Sequence, residues 1–272
     1  MKNIAGFFKQ VFIYILLLLF IMPFLLILLN AFKTTEQFVE NPFSIPTGMS
    51  FHNFSDAFVK MDFLKGLSNS LIITVLSISL LVIFSSMAAY LFVRFNWRIN
   101  KFLFMLMITS MIIPFQAIMI PLVSIYGSLH ALNNKWILIF MYLGFGEAFA
   151  VFTFHGFIKG IPLELEESSL IDGCSRLQTF FLIVFPLLKS VIVTIVILDV
   201  LWIWNDYLLP SLILLSPGER TLPLSTYNFF SSYSVDFAPL MAGLILTIIP
   251  VLIIYIFAQK QIIKGVMQGA LK

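Results

Sequence analysis

The sequence predicts an all-α membrane protein that crosses the bilayer six times, and three observations carry the prediction. First, 60% of its 272 residues are hydrophobic and only 11% are charged. Its 16 basic and 13 acidic residues cannot furnish the charged shell that a soluble domain of this size needs. Second, six apolar runs each approach the roughly 20 helical residues that cross a hydrocarbon core. Third, the basic residues fall unevenly on the two sides those runs define.

The first run covers residues 11–29. Lys2 and Lys9 precede it as they would a secretory leader, but the run is too long for a leader's apolar core and no small-x-small site follows. It therefore reads as an uncleaved span. Residues 71–92 form the second. The third, 104–127, contains Pro114 and Pro121, so a kink is expected near Gln116. The fourth, 136–156, carries Glu147 and His155. The fifth, 187–205, begins near Lys189 and contains Asp199, and the sixth covers 239–258. Residues 11–258 thus read as one membrane domain, flanked by an N-terminal segment (1–10) and a C-terminal tail (259–272).

An even number of spans puts both termini on one side. That side holds eleven Lys and Arg, among them Arg94, Arg98 and Lys101, against five on the other. Both termini are therefore expected in the cytoplasm. The longer outside segments, roughly 33–65 and 206–236, are rich in Pro, Ser and Asn and read as loops with short helices.

Composition also excludes several chemistries. A single cysteine, Cys174, rules out an internal disulfide and any multi-cysteine metal site. His52, His130 and His155 form no i, i+4 pair, which argues against a metal centre. The net charge of +3 gives no reason to expect nucleic acid. No Gly-Lys pair occurs, so the phosphate-binding loop of an ATPase is missing from this sequence.

The cytoplasmic loop between spans four and five holds Glu164, Glu166, Glu167 and Asp172 within nine residues. Pro162 suits a helix's first turn, where its missing N–H would be unpaired anyway. The acids that follow complement the positive end of a helix dipole. Asp172-Gly173 is a turn dipeptide, and glycine accepts the left-handed backbone that ends helices. The local reading is a short helix, a sharp turn and a second helix entering span five, with Pro186 at the membrane entry. A solvated acidic surface helix is one use of such a segment. A handle for another chain is the other.

The stretch Glu167-Ser168-Ser169, three residues, Gly173, nine residues, Ile183, one residue, Phe185-Pro186 resembles the E-A-A-x3-G-x9-I-x-L-P loop of ABC importer permeases. Ser168 and Ser169 stand for the alanines and Phe185 for the leucine. The run Trp204-Asn205-Asp206-Tyr207-Leu208-Leu209-Pro210 is similar to the W-N-(D/E)-F-L-L-P segment of carbohydrate-type permeases. Glu219-Arg220-Thr221-Leu222-Pro223, Asn69-Ser70, Ile113-Pro114 with Pro121, and the tail from Lys264 also match in order and spacing. The chain thus resembles the MalG-like permease subunit of carbohydrate importers.

The resemblance implies a cytoplasmic coupling helix from Pro162 to Asp172, seated in a cleft of an ATPase subunit, with Gly173 as its pivot. Pro162, Glu164, Glu166, Glu167, Ser168, Ser169, Asp172, Gly173 and Pro186 would form that contact. Lys264, Gly265, Gln268 and Gly269 would form a second one. It further implies a second homologous permease, two ATPase subunits holding ATP and Mg, an external solute-binding protein, a sugar substrate and a bacterial plasma-membrane setting. This chain itself would bind no cofactor. An importer permease for a polyol phosphate, peptide or amino acid is the alternative, and an ion-coupled transporter a more distant one.

Glu147 and Asp199 lie inside spans, where an ionised carboxylate costs about 2.5–3.5 kcal/mol on insertion scales, so they should face protein or water. With Gln116 and Asn205 they are candidates for the substrate path. A structural role at helix contacts is equally compatible with the residues.

Overall fold

The computed structural model describes residues 2–231 and 234–270, and for residues 2–5, 258 and 260–270 the backbone alone. Helices account for the ordered elements, with one isolated antiparallel bridge between Phe230 and Val235. The chain divides into two compact units, Met1–Gly66 with Leu222–Leu252, and Leu67–Thr221 with Ile253–Lys272.

The first unit opens with α1 (Lys2–Asn30), an apolar helix long enough to cross a bilayer, none of whose membrane window is buried within the chain. Two short helices follow: α2 (Thr35–Glu40), N-capped by Thr34, and α3 (His52–Lys60). Their loop closes around buried polar groups. Asn53 donates to the carbonyls of Ala31 and Lys33 at 2.8 and 2.7 Å. The fully buried Lys33 ammonium donates to Asn41 O and Pro42 O, both at 3.0 Å. Each bond satisfies a group that would otherwise be costly to bury.

In the second unit the core lies between three spans. After its first four residues, α4 (Phe63–Arg94) belongs here and presents Ser77, Ser85, Ser86 and Ala89 as buried small residues. Next come α5 (Arg98–Ser110), α6 (Phe115–Ser128) and α7 (Lys135–Ile158). The close approach of α4 and α7 needs a glycine: a Cβ on Gly146 would lie 2.2 Å from Leu81 Cδ1 and 3.3 Å from a ring carbon of Trp202.

The loop after α7 forms α8 (Glu164–Ile171) and α9 (Arg176–Thr179). A π-helical turn at Phe180–Val184 and the short α10 (Phe185–Leu187) lead into α11 (Lys189–Asn205). Two short helices follow in the chain, α12 (Leu208–Ile213) and α13 (Leu222–Ser225). The long α14 (Phe237–Ala270) ends the described chain and runs through the expected boundary at residue 258 into the tail.

Among the described residues, four helices are long and apolar enough to cross a membrane unbroken, and two bent pairs bring the total to six if each pair is one span. The third and fifth expected spans are the broken ones. At Met111–Pro114 the chain turns by 103° between α5 and α6. Pro114 lacks an N–H and pushes Ile113 out of helical geometry, so α5 ends in a tightened turn with Met111 and Ile112 bonding three residues back. The expected kink is therefore a corner, and residues 104–127 do not form one straight helix. At Leu188 the turn is 75°, which leaves α11 with 17 residues. Pro162 also departs from expectation: it lies before the cap residue Leu163, outside the first helical turn.

Candidate functional site

Helix α8 ends in a complete Schellman cap. Gly173 has φ of 88°, its N–H bonds Leu170 O at 3.1 Å, and Cys174 N–H reaches back to Ser169 O at 3.0 Å. The left-handed glycine read from Asp172-Gly173 is present. A capping box follows at once: Ser175 and Gln178 exchange side-chain and backbone bonds and start α9.

The two faces of α8 differ. Glu164, Leu165, Glu167, Ser168 and Ile171 are exposed, as are Pro162 and Asp172 at its ends. Ile171 is 86% exposed, an aliphatic side chain left uncovered on a loop helix. Glu166 and Ser169 point the other way and are buried. Glu166 Oε1 accepts from Arg94 Nε at 2.7 Å, and its Oε2 accepts from Tyr90 O–H at 2.8 Å. Ser169 Oγ lies 2.8 Å from Thr179 Oγ1 on α9. Of the residues expected to touch a partner, these two instead hold α8 onto its own chain. Adjacent glutamates are 100° apart on a helix, so Glu166 and Glu167 cannot share a face. Pro186 lies in α10, beyond the π turn. The backbone of Lys264, Gly265, Gln268 and Gly269 continues α14, and their side chains lie outside the described residues.

A cavity of about 640 Å³ lies between α6, α7 and the junction of α11 with α12. Its walls are aromatic, with Phe115, Tyr126, Phe140, Phe145, Phe149 and Trp202, and Asp206 supplies the carboxylate. Phe115 and Phe145 meet edge to face at 5.4 Å. Asp206 ends α11: Leu208 N–H donates to its Oδ1 at 3.0 Å, and Tyr142 O–H donates to its Oδ2 at 2.9 Å. Burial raises its pKa, while these donors partly offset the rise.

None of the four residues expected along the path lines this cavity. Gln116 is exposed beside Phe115, and Asn205 turns back to donate to Leu201 O at 2.7 Å. Glu147 and Asp199 each bury a carboxyl oxygen that has no hydrogen-bond partner among the described residues. Sequence reasoning passed over Asp206 and Trp202, although Asp206 stands inside the quoted Trp204–Pro210 motif. Two other motifs meet elsewhere in this unit. Asn69 Nδ2 donates to the carbonyls of Gly218 and Arg220, and Lys135 Nζ reaches Asn69 Oδ1 at 3.3 Å.

A chain built this way, with apolar helices around an aromatic cavity and one short loop helix partly bare, has the makings of a transport permease. Residues 81–268 match the family described as binding-protein-dependent transport system inner membrane component, and the chain belongs to it. It is 44% identical over 258 residues to the probable starch degradation products transport system permease protein AmyC of Thermoanaerobacterium thermosulfurigenes, covering 95% of this chain and 94% of that one. It is 35% identical over 276 residues to the multiple sugar-binding transport system permease protein MsmG of Streptococcus mutans, covering 100% and 99%. The fold is similar to one chain in the crystal structure of a bacterial ABC transporter involved in the import of the acidic polysaccharide alginate. The TM-score is 0.80 at 21% identity, over 95% of this chain and 96% of that one. The protein is a membrane permease subunit of an ABC importer.

Proposed function

We propose that this permease carries a neutral sugar or oligosaccharide, delivered by an external solute-binding protein, through a path shared with a second homologous permease. Two cytoplasmic ATPase subunits, holding ATP and Mg, drive it through α8, and both termini face the cytoplasm. The observation that carries the reading is the divided α8. Its exposed ridge, with Glu164, Glu167, Ser168 and the bare Ile171, is free for a partner cleft, while its other face is fixed to the chain. The tail around Lys264, Gly265, Gln268 and Gly269 is a second contact of the same kind.

The carbohydrate assignment rests on the relatives' names and on the cavity. Flat aromatic rings suit the apolar faces of pyranoses, and the Asp206 carboxylate accepts hydroxyl protons. Gln116, Glu147, Asp199 and Asn205 remain path candidates, although none of them lines the cavity.

The test is uptake by the transporter purified with its partner chains and placed in vesicles. Maltotriose, melibiose and an amino acid mixture serve as probes. ATP-dependent uptake of a sugar, undiminished when the proton gradient is collapsed, is expected. Uptake of amino acids alone would overturn the substrate class. Uptake that needs the gradient and no ATP would overturn the motor.

A further inference from the structure

The buried face of α8 has a function of its own. Arg94, in the last turn of α4, makes three contacts through one guanidinium system. Its Nε bonds Glu166 Oε1 at 2.7 Å, as both a hydrogen bond and an ion pair, and its Nη2 bonds Ile161 O at 2.9 Å and Ile158 O at 3.3 Å. Ile158 is the final residue of α7, so the cation sits at the negative end of that helix's dipole, where Ile158 O already accepts from Ile161 N–H at 3.0 Å. Tyr90, one turn earlier on α4, completes the Glu166 carboxylate, and its ring packs on Phe180 of the π turn at 5.2 Å between centroids. The Arg94 and Glu166 side chains are only 12% and 4% exposed.

We infer that Arg94, Glu166 and Tyr90 form the clamp that transmits displacement of α8 into spans α4 and α7, acting as positioning residues for coupling and not as groups that touch the ATPase. The inference rests on the reading of α8 as the docking helix. A handle moves what it is rigidly fixed to, and this fixing is bidentate at the carboxylate, shielded from water and shared among three elements. The linker between α7 and α8 is only five residues long, and the same guanidinium holds a carbonyl within it, so it cannot absorb the motion as slack. Arginine suits the position, because its planar fork reaches the carboxylate through Nε and the two carbonyls through Nη2, a spread of donors that lysine's single nitrogen does not reproduce.

The experiment uses the assembled transporter with Glu166→Gln, Arg94→Lys and Tyr90→Phe. Two quantities are read: the amount of ATPase that co-purifies, and maltotriose (or whichever probe the wild type carries) imported per ATP hydrolysed. Co-purification is expected within twofold of wild type in all three, because the exposed ridge is untouched. The import ratio is expected to fall about tenfold in Glu166→Gln and Arg94→Lys, and severalfold in Tyr90→Phe. If Glu166→Gln fails to accumulate, as loss of a buried pair's partner can cause, Tyr90→Phe carries the same test with the ion pair intact. An unchanged ratio in the variants that assemble overturns the clamp. Lost co-purification with the ratio preserved in surviving complexes also overturns it, since Glu166 would then serve docking or folding alone. Failure of the wild type to couple ATP to import would instead refute the docking reading of α8.

Discussion

Replacing Gly173 isolates the backbone contribution to the end of α8. The residue sits at φ of 88°, and a Cβ built there meets nothing within 4 Å. Crowding therefore contributes nothing within this chain, and the whole effect is conformational. An L-residue in left-handed geometry costs about 1–2 kcal/mol, with a β-branched side chain at the upper end. Asparagine tolerates that geometry and costs least. Alanine should fall between, at about 1 kcal/mol. A difference of 1–2 kcal/mol changes the ratio of capped to frayed α8 by roughly 5–30-fold.

The bonds at stake are Gly173 N–H to Leu170 O and Cys174 N–H to Ser169 O. Losing them frees Ser169, whose hydroxyl lies 2.8 Å from Thr179, and so loosens the connection to α9. In the assembled transporter the import ratio should follow the order Gly173 and Gly173→Asn, then Gly173→Ala, then Gly173→Val, with insertion unaffected. Valine matching glycine would refute the pivot. Asparagine failing as badly as valine would also refute it, since the defect would then come from side-chain bulk against the ATPase and not from φ.

Four further outcomes are expected. Gly146→Ala should destabilise by about 1–3 kcal/mol, because its Cβ would meet Leu81 Cδ1 at 2.2 Å in a buried site; an unchanged melting temperature in detergent would refute the close approach. Trp202→Ala should raise KM for sugar uptake severalfold while the co-purified ATPase stays constant, and an unchanged KM would remove the cavity from the path. For Asp206 the raised pKa means that folding favours the neutral carboxyl. Its stabilising contribution is therefore full below the unfolded pKa near 4 and lost as pH rises through the folded value. The melting temperature of Asp206→Asn should gain on wild type across that rise, and a constant difference would contradict the sign. Reporter fusions after Ile99 and after Ser216 should lie on opposite sides of the membrane, and both on one side would overturn the orientation.

Hydropathy makes α1, α4, α7 and α14 legible, because each is a long apolar helix crossing without a corner. The breaks are less legible. Pro114 marks the third span's weak point, yet a proline permits anything from a gentle kink to the observed 103°. The direction a helix takes after its last bonded turn depends on packing that one segment does not encode. Glu166 illustrates the same limit at the site. Three glutamates in the first turn look alike in sequence, and only the arrival of Arg94 from α4, 72 residues away, makes one of them a buried partner. Asp206 was within reach, since an acid following the last residue of a span commonly caps what comes next. Asn205 beside it drew the attention, although its amide is consumed by its own helix.

The two ends of α8 are joined to the membrane in opposite ways. Toward α7 the connection is five residues long and held by Arg94, so little is free to bend. Toward α11 the chain passes through α9, the π turn at Phe180–Val184 and the 75° corner at Leu188. Pro186 explains why that side is irregular. It has no N–H to give Leu182 O, and its ring crowds that carbonyl, so the preceding turn widens and Phe185 N–H bonds Phe180 O instead. A widened turn followed by a corner has fewer bonds resisting rotation than a continuous helix. On the proposed docking role of α8, a displacement would pass more stiffly into α7 and α4 than into α11. The wall of the cavity formed by α7 would shift against the wall formed by Trp202 and Asp206 on the α11 side, which is the relative motion that opens or closes a site between them.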